Sequence, residues 1–132
     1  MTRQEADGGL DFEILRLGIE RCDRDLVLGF YAEDAELSIV NAGAPHASPF
    51  VLHGRAEIAK HLRAIFGQKT SHRVEQENLD EGWVTFREVC EYPDGGRVLV
   101  ETTLEVPDGK IVRQVDVVTM DAQADHEGEI GQ

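Results

Sequence analysis

From Lys69 onward the chain is written in long alternating β segments, at residues 70–79, 83–92, 97–106 and 111–120. Between them stand Asp80-Glu81-Gly82, Pro93-Asp94-Gly95-Gly96 and Pro107-Asp108-Gly109. Proline and aspartate favour the opening of a tight turn, and glycine accepts the positive φ that such turns need. Connections this short leave only antiparallel pairing, since a parallel crossover takes a dozen residues or more. The second half of the chain is therefore predicted to be a four-stranded meander. An alternating sheet is apolar on one face, and that face must be covered by something else in the chain.

The first 69 residues supply the cover. Phe12, Leu15, Ile19 and Cys22 recur at three- and four-residue steps behind a capping Asp11, which predicts a helix over residues 11–22. Asp23 offers a second cap, and Leu26, Val27, Phe30 and Tyr31 form the inner stripe of a short helix ending near Glu33. Residues 36–41 read as a short strand, 42–49 as a loop holding Pro45 and Pro49, and 50–53 as a brief strand. Ile58, Leu62, Ile65 and Phe66 then share one face of a helix over 55–66, stopped by Gly67. Three helices followed by a meander, with an early strand joining its edge, predict an α+β fold. Its curved antiparallel sheet is closed by N-terminal helices into a cone whose interior is a natural ligand site.

With 132 residues the chain suits one domain, placed at residues 10–121, while the polar, acid-rich ends at 1–9 and 122–132 read as flexible tails. Its 26 acidic residues against 13 basic ones give a net charge of −13, which repels phosphate backbones and anionic lipid. Nucleic-acid and membrane partners are not expected. No run approaches the roughly 18 apolar residues that span a bilayer, and residues 1–9 lack an apolar signal core, so a cytoplasmic protein is expected. Cys22 and Cys90 are read as small packing residues rather than a disulfide.

The order of elements, together with Phe30-Tyr31-Ala32-Glu33-Asp34-Ala35, Gly54-Arg55-Ala56-Glu57-Ile58 and Leu104-Glu105-Val106-Pro107-Asp108-Gly109-Lys110-Ile111-Val112, resembles the nuclear transport factor 2-like superfamily, nearest its SnoaL-like branch. The resemblance spans residues 10–121. It implies a cone-shaped α+β barrel, often a dimer through the outer sheet face. It also implies a range of activities, among them polyketide cyclases, ketosteroid isomerases, epoxide hydrolases, dehydratases and members that only bind or scaffold. An aspartate stands on the last strand of the cyclases and epoxide hydrolases, and here that position is Asp116. The arginine and second aspartate of the hydrolases align with Arg87 and Val89, so one carboxylate is missing. The regions that hold the isomerase base and acid offer Ile39 to Asn41 and Thr102, so the isomerase pair is missing too.

Alternation on the last strand groups Asp116 with Gln114 and apolar neighbours, which places a carboxylate in an apolar pocket. Desolvation there raises its pKa and makes it a proton carrier near neutral pH. The other reading is a structural ion pair with Arg87 or Arg113. On the strand at 83–92 two faces compete. If Phe86, Glu88 and Cys90 point inward, Glu88 is a second carboxylate; if Trp83 and Arg87 do, they line the pocket instead. His72 is a candidate general base. Tyr31, Phe30, Leu62 and Phe66 are candidate ligand contacts. The expected ligand is a small apolar molecule, with no cofactor. No metal is expected, because His46, His53 and His61 lack a second ligand at metal spacing.

Overall fold

In the structure, a computed structural model that describes residues 10–44 and 46–120, the elements run α1 (Phe12–Glu20), α2 (Arg24–Leu28), β1 (Tyr31–Asn41), β2 (Phe50–His53), α3 (Gly54–Phe66), β3 (Ser71–Asp80), β4 (Trp83–Glu91), β5 (Arg97–Glu105) and β6 (Ile111–Met120). The two predicted tails lie outside the described residues. Asp11 accepts from the Ile14 amide at 3.3 Å and Asp23 from the Leu26 amide at 3.2 Å, so both caps satisfy amides that a helix start leaves unpaired. The meander forms with the predicted turns, and Gly82, Gly95 and Gly109 all take positive φ.

Three expectations need correction. The second helix stops at Leu28, and Phe30 and Tyr31 do not end it: Tyr31 opens β1, where it pairs with Ile111, and the Ile111 amide donates to the Phe30 carbonyl at 2.8 Å. Pairing with β6 outweighs the helix-friendly Ala32 and Glu33 that follow. The sheet is not wholly antiparallel either, since β1 runs parallel to β6 and the order is β2-β1-β6-β5-β4-β3. Finally, β2 and β3 remain as free edges, so the sheet is curved but is not a closed barrel. Its bending has a local cause in β3, where one extra residue separates the pairs Glu75–Arg87 and Asn78–Thr85 and Gln76 takes φ 57°.

The core lies between the concave sheet face and the helices. Phe12, Leu15 and Ile19 of α1 and Ile58 and Leu62 of α3 press on Leu37, Val84, Phe86, Leu104 and Ile111. Phe12 meets Phe86 with ring centroids 5.6 Å apart in a tilted pair. No helix among the described residues is long and apolar enough to cross a membrane.

Candidate active site

Burial of Val84, Phe86 and Cys90 fixes the register of β4. Glu88 therefore faces the concave side. Trp83 is 45% exposed on the opposite face, where Arg87 joins Glu101 at 2.8 Å and Glu75 at 3.8 Å, so neither Trp83 nor Arg87 lines the cavity. Phe30 also misses it, lining a surface hollow with Leu26 and Lys110. Tyr31, Leu62, Phe66, Phe86, Gln114, Glu88 and Asp116 line one lobe of the cavity, toward α1 and α2, with a volume of about 40 Å³. A second lobe of about 180 Å³ adjoins it and is lined by His72, Cys90, Thr70, Val98 and Val118. The lobes share His61, Ile65, Glu88 and Asp116, so the two carboxylates stand where the lobes meet.

Asp116 sits on β6 between Ile39 of β1 and Thr102 of β5. Its Oδ1 accepts from Thr102 Oγ1 at 3.0 Å and from Gln114 Nε2 at 2.9 Å, while Gln114 Oε1 accepts from the Tyr31 hydroxyl. Arg87 and Arg113 are engaged on the outer face by Glu101 and Glu105, so the ion-pair reading of Asp116 does not hold. Among the described residues no cation pairs with this carboxylate. Burial pushes its pKa up to about 7; the Gln114 hydrogen bond pulls down, the Glu88 charge pushes up, and Thr102 pulls down. Protein surrounds the carboxyl group, yet part of the residue's surface stays open to the cavity.

The Tyr31 phenol is held protonated by burial, reinforced by Asp116 and Glu88, and so serves as a donor. Burial lowers the pKa of His61, with Glu88 opposing, which leaves a neutral imidazole at neutral pH. Sequence reasoning placed His61 only on the flank of its helix. Its one available signal was its position beside Leu62 and Ile65 on the turns of α3 that face the sheet.

The chain spacing that argued against a metal centre is bypassed by strand pairing. His72 stands opposite Cys90 across the β3–β4 ladder, and Glu88 shares the inner face two residues from Cys90. One donor atom from each of the three lies within 4.8 Å of the others. His72 Nδ1 is 2.6 Å from Glu88 Oε2 and 3.5 Å from Cys90 Sγ, with Sγ 3.7 Å from Oε2.

The model of the SnoaL-like domain matches residues 13–114. The chain belongs to this SnoaL-like family. A nuclear transport factor 2-like protein of unknown function from Mesorhizobium loti is similar at 20% identity, covering 89% of this chain and 96% of that one with a TM-score of 0.72. A protein described as a ketosteroid isomerase from Kribbella flavida gives 18% identity, 81% and 73% coverage and a TM-score of 0.68. An epoxide hydrolase of M. tuberculosis gives 21%, 89% and 84%, and 0.59. At these identities the likeness is one of fold. No curated protein matches in sequence. Membership in the SnoaL-like family assigns no reaction, and the matched residues end before Asp116.

Proposed function

We propose that this SnoaL-like protein catalyses proton transfer on a small, apolar, carbonyl-bearing molecule, of the cyclase, isomerase or dehydratase type. The observation that carries the reading is Asp116: a carboxyl group without a cation, half-ionised near pH 7, facing a cavity that Ile39, Ile65, Val98, Val100 and Val118 help to wall. As a base it removes a proton from carbon next to the carbonyl; as an acid it returns that proton to another carbon or to a departing hydroxyl. Thr102 and Gln114 hold its Oδ1, which leaves Oδ2 for the substrate. The neutral His61 imidazole is the donor available to a developing enolate oxygen, while the Tyr31 hydroxyl, already donating to Gln114 Oε1, fixes the Gln114 amide against Asp116. A cavity of about 150 Å³ holds a benzene ring, so the lobe of about 180 Å³ suits a single ring or a short chain.

The test is carbon–hydrogen exchange in deuterium oxide, followed by NMR over a panel of small ketones and β-dicarbonyl compounds. Exchange with at least one of them is expected, and Asp116→Asn should slow it by about 100-fold or more, the scale of general acid/base groups. An unchanged rate in that variant would remove Asp116 from the reaction. Binding without exchange across the panel would favour a binding module instead.

The homodimer is proposed on the outer sheet face, where Val40, Val117 and Leu99 lie across three adjacent strands. Sedimentation should report a dimer, and Leu99→Glu should shift it to monomer, because a charge there is desolvated on association. A wild-type monomer at working concentration would refute this.

A further inference from the structure

The proton-transfer reading uses Asp116 and leaves the opposite wall of the cavity unexplained. On that wall His72 is 4% exposed and Glu88 15% exposed at the side chain, Cys90 is buried, and all three line the lobe of about 180 Å³. We propose that His72 Nδ1, Glu88 Oε2 and Cys90 Sγ bind one divalent transition ion of the zinc type, with a fourth position opening into the cavity.

Three observations carry this. The first is distance. Zinc bonds of about 2.3 Å to sulfur and about 2.0–2.1 Å to nitrogen and oxygen give tetrahedral edges of roughly 3.6 Å from sulfur to either other donor. The observed separations from Cys90 Sγ are 3.5 Å to His72 Nδ1 and 3.7 Å to Glu88 Oε2. Only the 2.6 Å His72–Glu88 contact is shorter than the edge of roughly 3.3 Å expected between nitrogen and oxygen. Metal binding replaces that hydrogen bond and must part the two atoms by roughly 0.7 Å.

The second is charge. A neutral imidazole, a carboxylate and a thiolate sum to −2, so a divalent ion makes the filled site neutral. Neutrality matters on a wall this buried, where an uncompensated charge is costly. Mixed nitrogen, oxygen and sulfur donors favour zinc over magnesium or calcium, which take oxygen ligands.

The third is the polar atoms left over. His72 Nε2 and Thr70 Oγ1 are both buried without a hydrogen-bond partner. A metal on Nδ1 obliges Nε2 to carry the ring proton, and Thr70 Oγ1, two residues earlier beside the same cavity, is a second unpartnered polar atom, a hydroxyl able to accept that proton once a small shift brings the two within reach.

The same observations count against a thiol nucleophile with a histidine base and a glutamate orienter. That arrangement needs the thiol and the carboxylate on opposite ring nitrogens. Here both converge on Nδ1, as ligands of a common ion must.

The proposal concerns the β3–β4 wall and stands whether or not Asp116 is catalytic. It is tested on the full chain without a histidine tag, stripped of metal and titrated with cobalt(II) alone, then with zinc in competition. One equivalent of cobalt should bind with a sulfur-to-metal charge-transfer band and the visible bands of a tetrahedral ion, and zinc should displace it. Cys90→Ser should abolish the charge-transfer band, and Glu88→Gln should weaken binding by roughly 100-fold, at or above the losses seen when only a supporting residue is removed. Circular dichroism of each variant separates loss of the site from loss of the fold. Absence of stoichiometric binding to the wild type overturns the proposal, and so does a charge-transfer band that survives in folded Cys90→Ser.

Discussion

At pH 8, Asp116→Asn should be more stable than the parent chain by up to about 4 kcal/mol, and the difference should vanish below about pH 4. The folded pKa of Asp116 is raised from 3.8 to about 7. A raised acid leaves the fold unpenalised below the unfolded value, because both states are then protonated. As pH climbs from 3.8 toward 7 the unfolded chain loses its proton and the folded one keeps it, so stability falls through that window and levels off above it. Each pKa unit is worth about 1.36 kcal/mol, so the climb costs the fold about 4 kcal/mol. That figure is an upper bound, since the cavity side of the residue is open to water. Asparagine keeps an oxygen for Thr102 and Gln114 and removes the titration. Denaturant melts of both proteins from pH 4 to 8 check this, and parallel stability curves would contradict it.

Phe12→Ala should cost about 3–5 kcal/mol, the range for emptying a core phenylalanine site. Phe12 is 1% exposed, begins α1 and meets Phe86, itself 4% exposed on the inner face of β4. Truncation removes the ring that seats the helix on the sheet and also the aromatic pair, which adds about 0.5–1.5 kcal/mol beyond buried area. A domain of ordinary size is stable by only about 5–15 kcal/mol, so a third or more of the total can be lost. The measurement is the denaturation midpoint with its slope unchanged; a loss below about 1.5 kcal/mol would show that α1 is not fastened there.

Different parts of this architecture were written at different depths in the sequence. The meander was readable to within a residue or so, because Gly82, Gly95 and Gly109 mark turns whose backbone demands them. α3 was equally plain from Ile58, Leu62 and the stop at Gly67. The start of β1 was hidden because Tyr31 takes its conformation from Ile111, eighty residues away, rather than from its neighbours. The direction of Glu88 was open for a similar reason: Val84 and Phe86 hinted at the inner face, but their burial, with Phe12 of α1 packed on Phe86, is a tertiary fact. The pairing of His72 with Cys90 was harder still. Counting back from the turn at Asp80 fails, since the extra residue at the Gln76 bulge slips the register by one. Asp116 was legible as a position and Gln114 as its neighbour on the same face, whereas the Thr102 contact came from pairing geometry.

The Asp116 carboxyl group is expected to titrate near neutrality because it faces the cavity without a cation. Carbon-detected NMR of its side-chain carboxyl carbon, titrated from pH 3 to 9 and assigned by the Asp116→Asn variant, reads that directly. A midpoint of about 7 is the predicted result; a midpoint near the ordinary aspartate value of about 4 would contradict it.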